Sequence, residues 1–80
     1  MTEQEKQKQC KLERIVHVLD WCATAYAAQR MPASVFADIV CAYMLEANPI
    51  GVWPMVCAAL MARGHEMFGD MLKREVRYVA

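Results

Sequence analysis

The stretch Trp53-Pro54-Met55-Val56-Cys57-Ala58-Ala59-Leu60-Met61-Ala62-Arg63-Gly64 decides how this chain folds. Pro54 suits the first helical position, where its missing N–H would have had no partner. Gly64 suits the position just past a helix end, where a left-handed backbone carries no Cβ penalty. Between them, Met55 to Ala62 holds no polar side chain on any face. A helix that is apolar all round is normally buried all round. The segment is therefore expected to be a central, fully buried helix that the others pack around. A second copy of the chain is one means of completing that burial.

On its C-terminal side, Met67, Phe68, Met71, Leu72 and Val76 share one face at helical spacing over 65–77, opposite Glu66, Asp70, Lys73, Arg74 and Arg77. Asp70 and Arg74 form an i,i+4 pair in the favourable orientation. Gly69 lies inside this helix, where it costs about 1 kcal/mol relative to alanine, and that points to a close helix–helix approach. On the N-terminal side, Asn48-Pro49-Ile50-Gly51 is a turn by its chemistry. Before it a helix runs from Pro32 to about Ala47, with Phe36, Ile39, Val40 and Tyr43 facing inward. Arg30-Met31-Pro32 separates it from a long first helix over about Glu3–Gln29, because the residue before proline is pushed out of the helical region. Thr2 and Glu5 match a capping box at the start of that helix. Its stripe is Leu12, Ile15, Val16, Leu19, Ala23 and Tyr26, and Glu13, His17, Asp20 and Thr24 form the polar strip. No segment reads as a strand. The expected fold class is all-α, a bundle of about four helices forming one domain over 1–80, with a polar start at 1–11 able to fray.

Charge is unevenly spread. Of 18 charged side chains, residues 1–14 hold seven and residues 63–80 another seven, leaving Asp20, Arg30, Asp38 and Glu46 for the 48 residues between. A chain of 80 residues that is 58% apolar has too little interior to hide its apolar surface, so a homo-oligomer or an obligate binder is expected. Net charge is zero and the signs are interleaved, which argues against nucleic acid or an anionic membrane as the main partner. No uncharged run reaches the roughly 18 residues a membrane span needs, and no secretory leader opens the chain. A cytoplasmic setting with reduced thiols fits Cys10, Cys22, Cys41 and Cys57, which contain no Cys-x-x-Cys pair.

Catalysis finds no footing here. Glu13, His17 and Asp20 share a helical face, but a metal site needs a further convergent ligand and none is spaced for it. Cys22, Cys41 and Cys57 lie among apolar residues without the base that activates a thiolate, and are expected to be structural. The three glycines, Gly51, Gly64 and Gly69, are isolated and cradle no phosphate. The expectation is no enzyme, no cofactor, no metal and no small-molecule substrate. A helix-turn-helix reading would pair 54–63 with 65–77, yet His65, Glu66 and Asp70 would then lead the recognition helix, two of them repelled by phosphate.

Two pieces, Ala27-Ala28-Gln29-Arg30-Met31-Pro32 and Gly51 to Gly64, resemble the small derepression proteins of enterobacterial satellite phages, the epsilon type. The resemblance covers about the last two-thirds of the chain. It implies an antirepressor that binds the lytic repressor of a helper prophage and removes it from its operators. The alternatives are a small DNA-binding phage regulator and an inhibitor of a host enzyme or defence complex. The resemblance supplies no site residues. From the residues themselves, Trp21, Tyr26, Met44, Val52, Trp53, Met67 and Met71 are the candidates for protein contact, since flexible thioethers and aromatic anchors suit adaptable interfaces. Trp53 carries a second reading, as the ring that closes one end of the core.

Overall fold

The computed structural model describes residues 2–71. Three helices, α1 (Glu3–Ala27), α2 (Ala33–Ala47) and α3 (Trp53–Ala62), are followed by helical turns at 67–71, and no strand occurs among the described residues. The fold is a small all-α bundle. Both α2 and α3 lie against α1, whose inward stripe of Ile15, Val16, Leu19, Cys22 and Ala23 is buried. A 3₁₀ turn, Asn48–Ile50, continues α2 before the chain reverses into α3. Of the expected last helix, Leu72, Lys73, Arg74, Val76 and Arg77, and with them the Asp70–Arg74 pair, lie outside the described residues.

α1, α2 with its 3₁₀ extension, and α3 end in the same way. The backbone enters the left-handed region at Gln29 (φ 60°), Gly51 (φ 72°) and Gly64 (φ 94°). In each case the next amide donates back five residues: Arg30 to Ala25, Val52 to Ala47 and His65 to Leu60, at 2.8, 3.2 and 3.0 Å. This six-to-one bond is the signature of the Schellman motif, which satisfies carbonyls the helix leaves unpaired. Glycine performs the role at two of the three sites because a Cβ is disfavoured at positive φ. At neither Gly51 nor Gly64 would an added Cβ meet another atom, so the constraint there is backbone conformation and not space. Gln29 tolerates it as a non-glycine residue, and this moves the end of α1 to Ala27, two residues before the expected Gln29.

At the other end of α1, the Thr2 hydroxyl accepts from the Glu5 amide at 3.3 Å, as the capping signature requires. The core comprises Ile15, Val16, Leu19, Phe36, Val40, Val52, Trp53, Val56, Leu60 and Phe68, with Cys22, Cys57, Ala23 and Ala47 filling between them. No buried residue is polar or charged among those described.

The expectation of a helix buried on every face is corrected for α3. Trp53, Val56, Cys57 and Leu60 point inward and are fully buried, while Met55 is 50% and Met61 45% exposed. Pro54, Ala58 and Ala62 are exposed on that same outer side. The reason is geometric. α1 covers one flank and the 67–71 turns another, and among the described residues no other element lies over the rest. The close approach expected at Gly69 is present: a Cβ there would sit 2.9 Å from Met61 Cε and 3.0 Å from its Sδ.

Candidate functional site

The open grooves of the described surface include two of note. One, of about 880 Å³, lies between the N-terminal half of α1 and the Pro49–Ile50 turn, and is lined by Lys6, Lys8, Lys11 and Arg14 among others. The second, of about 580 Å³, lies at the α1–α2 connection around Tyr26, Arg30, Met31 and Pro32. Glu3 and the exposed Cys10 line the first groove as well. No three His, Cys, Asp or Glu side chains converge to hold a metal ion among the described residues. No described helix is long and apolar enough to cross a membrane.

The chemistry that the fold does concentrate is an ionic clasp. His65 Nε2 donates to Asp20 Oδ1 at 2.7 Å, and Arg63 donates to Asp20 Oδ2 at 2.9 Å. The Schellman turn at Gly64 sets this up, because it places Arg63 and His65 on either side of a reversal aimed at α1. The hydrogen bond from His65, joined by the bond and charge of Arg63 and opposed by partial burial, holds the Asp20 carboxyl below its ordinary value of 3.8. The His65 side chain is 14% exposed. The polar strip on α1 is thus a surface strip at Glu13, His17 and Thr24, whereas Asp20 turns aside to secure the start of the last helical segment. A second cluster joins α1 to α2, where Glu46 takes Arg14 at 2.6 Å and Lys11 at 3.8 Å.

Removing the carboxylate tests the clasp. Asp20→Ala is expected to lower stability by about 1–2 kcal/mol, because it leaves the sheltered His65 N–H without its acceptor. Arg63→Ala breaks an exposed pair and is expected to cost less than about 1 kcal/mol. Since folding lowers the Asp20 pKa, its contribution is complete above the ordinary value of 3.8 and is lost as pH falls through the lower folded value. Denaturation curves collected below pH 4 are expected to show this acid-side loss in the natural chain and a smaller loss in Asp20→Asn. Equal acid sensitivity in both would show that Asp20 does not carry it.

Of the seven candidate contact residues, the structure places Trp21 alone in open solvent, 69% exposed on the outer face of α1. Val52 is corrected, and of the two readings of Trp53 the contact one is: at 1% and 0% exposure both belong to the core, as the reading of Trp53 as a core ring has it. The indole of Trp53 is drawn inward because it begins α3 on the face that meets the core. Tyr26, Met44, Met67 and Met71 are partly buried and pack against the core. The ring of Tyr26 is stacked on Phe36 at 4.7 Å, and Phe36 meets Phe68 edge-on at 6.3 Å. Sequence reasoning missed Leu45, 71% exposed, and Val35, 43% exposed, on the outer side of α2. It also took Cys41 for a structural thiol, yet Cys41 is exposed, as is Cys10, while Cys22 and Cys57 are buried. The helical period carried the signal: Leu45 and Cys41 lie four residues apart, across the helix from Val40 and Ala47. The chain matches no protein-family model, no curated protein and no solved structure.

Proposed function

We propose that this chain is a non-catalytic regulator that works by protein contact, and that its target is the lytic repressor of a helper prophage. The observation that supports contact is Trp21. Its side chain stands 69% exposed on a helix whose inward face is already filled, so folding alone gives no account of a tryptophan there. Tryptophan is the residue type most enriched among those that dominate binding energy in protein interfaces. The choice of a repressor as partner rests on the resemblance of residues 27–32 and 51–64 to satellite-phage derepression proteins.

The test reconstitutes a helper repressor on its operator DNA and adds this chain. Release of the DNA, with no mobility shift by the chain alone, is the expected result. Trp21→Ala is expected to keep the fold and to weaken release at least tenfold, as loss of an interface anchor does. A salt-dependent shift of operator DNA by the chain without repressor would replace this reading with that of a DNA-binding regulator.

A further inference from the structure

The first turns of α1 have no packing role within the described fold. From Glu3 to Cys10 every residue is exposed, and burial begins only at Lys11 and Leu12. This stretch, capped by Thr2, runs beside the Pro49–Ile50 turn, and the groove of about 880 Å³ lies between the two. We infer that this groove binds an acidic segment of a partner protein, with carboxylates seated on Lys6, Lys8 and Lys11 and an apolar side chain against Pro49 and Ile50.

Charge selects the occupant. Lys6, Lys8, Lys11 and Arg14 line the groove against a single carboxylate, Glu3. Arg14 is already engaged by Glu46 at 2.6 Å, and the same carboxylate reaches Lys11 only at 3.8 Å. Lys6 and Lys8 have no ion-pair partner among the described residues. Cys10 and Arg14 lie four residues apart on one face of the helix, with Lys6 to one side of it and Lys11 to the other. From Lys6 to Arg14 the helix rises about 12 Å. That is the reach of about four extended residues, so two or three Asp or Glu within such a length can meet the lysines together.

The opposite wall favours a peptide over a nucleic acid. The side chains of Pro49 and Ile50 are uncharged and offer a phosphate no donor, whereas a peptide carries apolar side chains between its carboxylates and uses both walls. Two unpaired lysines are also few beside the roughly 6–10 phosphate contacts of a strong duplex binder. Exposed charges of this kind give weak, salt-sensitive binding.

Cys10 supplies the readout. It is exposed and lines the groove, Cys41 is exposed on α2 and does not line it, and Cys22 and Cys57 are buried. Alkylation of each thiol by iodoacetamide is followed by mass spectrometry while acetyl-Glu-Glu-Leu-Glu-Glu-Leu-amide is added. Titrated to about 5 mM, past the millimolar end of the affinity scale, the peptide should slow Cys10 about threefold or more and leave Cys41 unchanged. In about 1 M salt, where screening acts beyond about 3 Å, the protection should be lost. Lys6→Glu combined with Lys8→Glu should weaken it about tenfold, with an unchanged circular-dichroism spectrum because both positions are exposed. No repressor is present, so the outcome is independent of the repressor reading. Absence of protection overturns the site. Equal protection by the glutamine analogue of the peptide, or protection that survives the double variant, overturns the role of the lysines and the proposal with it. Stronger protection by a short DNA duplex at the same salt overturns the partner class and gives the groove to nucleic acid.

Discussion

Trp53→Ala is expected to destabilise the fold by about 3–5 kcal/mol, the range for truncating a buried tryptophan. Trp53 is fully buried in the cluster that joins α1 to α3. Its Nε1 has no hydrogen-bond partner among the described residues, so the ring contributes through apolar area and packing and not through a polar anchor. Domains of this class hold about 5–15 kcal/mol in all, which makes the loss a large share of the total. Each kcal/mol moves the melting temperature of a domain this size by about 4–8 °C, so a fall of more than about 12 °C is expected. Trp21→Ala supplies the matched control, the same truncation on a side chain 69% exposed, and should stay within about 0.5 kcal/mol of the natural chain. Urea denaturation of both variants checks the contrast. Equal effects would mean that the two indoles are not partitioned between core and surface as described.

Phe36→Ala is expected to cost a similar amount, about 3–5 kcal/mol, for a different reason. Phe36 is 5% exposed, and its ring stacks on Tyr26 of α1 while receiving Phe68 of the 67–71 segment at its edge. One side chain of α2 therefore ties together two elements from opposite ends of the chain. Aromatic pairs of this geometry contribute about 0.5–1.5 kcal/mol beyond area burial. Phe36→Leu, which keeps most of the volume and loses the ring contacts, should cost about 1.5 kcal/mol or less. Near-ultraviolet circular dichroism should lose intensity in both variants, and thermal denaturation should rank them. A cost below about 1 kcal/mol for the alanine variant would show that the three rings do not pack as a unit.

Much of this architecture was legible in the chain. The stripe from Leu12 to Tyr26 fixed the inward face of α1, because residues three and four apart must share a helical face. Proline at Pro32, Pro49 and Pro54 and glycine at Gly51 and Gly64 placed the chain reversals, because each restricts or extends the backbone locally. Gln29 was not legible as a reversal, since a left-handed glutamine is held by its neighbours' hydrogen bonds and leaves no compositional mark. The apolar run from Met55 to Ala62 announced burial, and half of that announcement failed. Periodicity says which residues share a face; it does not say how many faces a small bundle can cover.

The same division runs through the surface. Trp21 could be named as a contact residue for its aromatic ring, but its exposure, like the burial of Val52 and Trp53, was decided only when the helices docked. Asp20 and His65 stand 45 residues apart, and nothing local marks them as partners. By itself the sequence determined the described helices, the ends that proline and glycine mark and the scarcity of charge, because backbone conformation and helical period are local properties. The tertiary structure alone decided which face of α3 remains at the surface and which carboxylate receives the turn after it, because both depend on where distant elements come to rest.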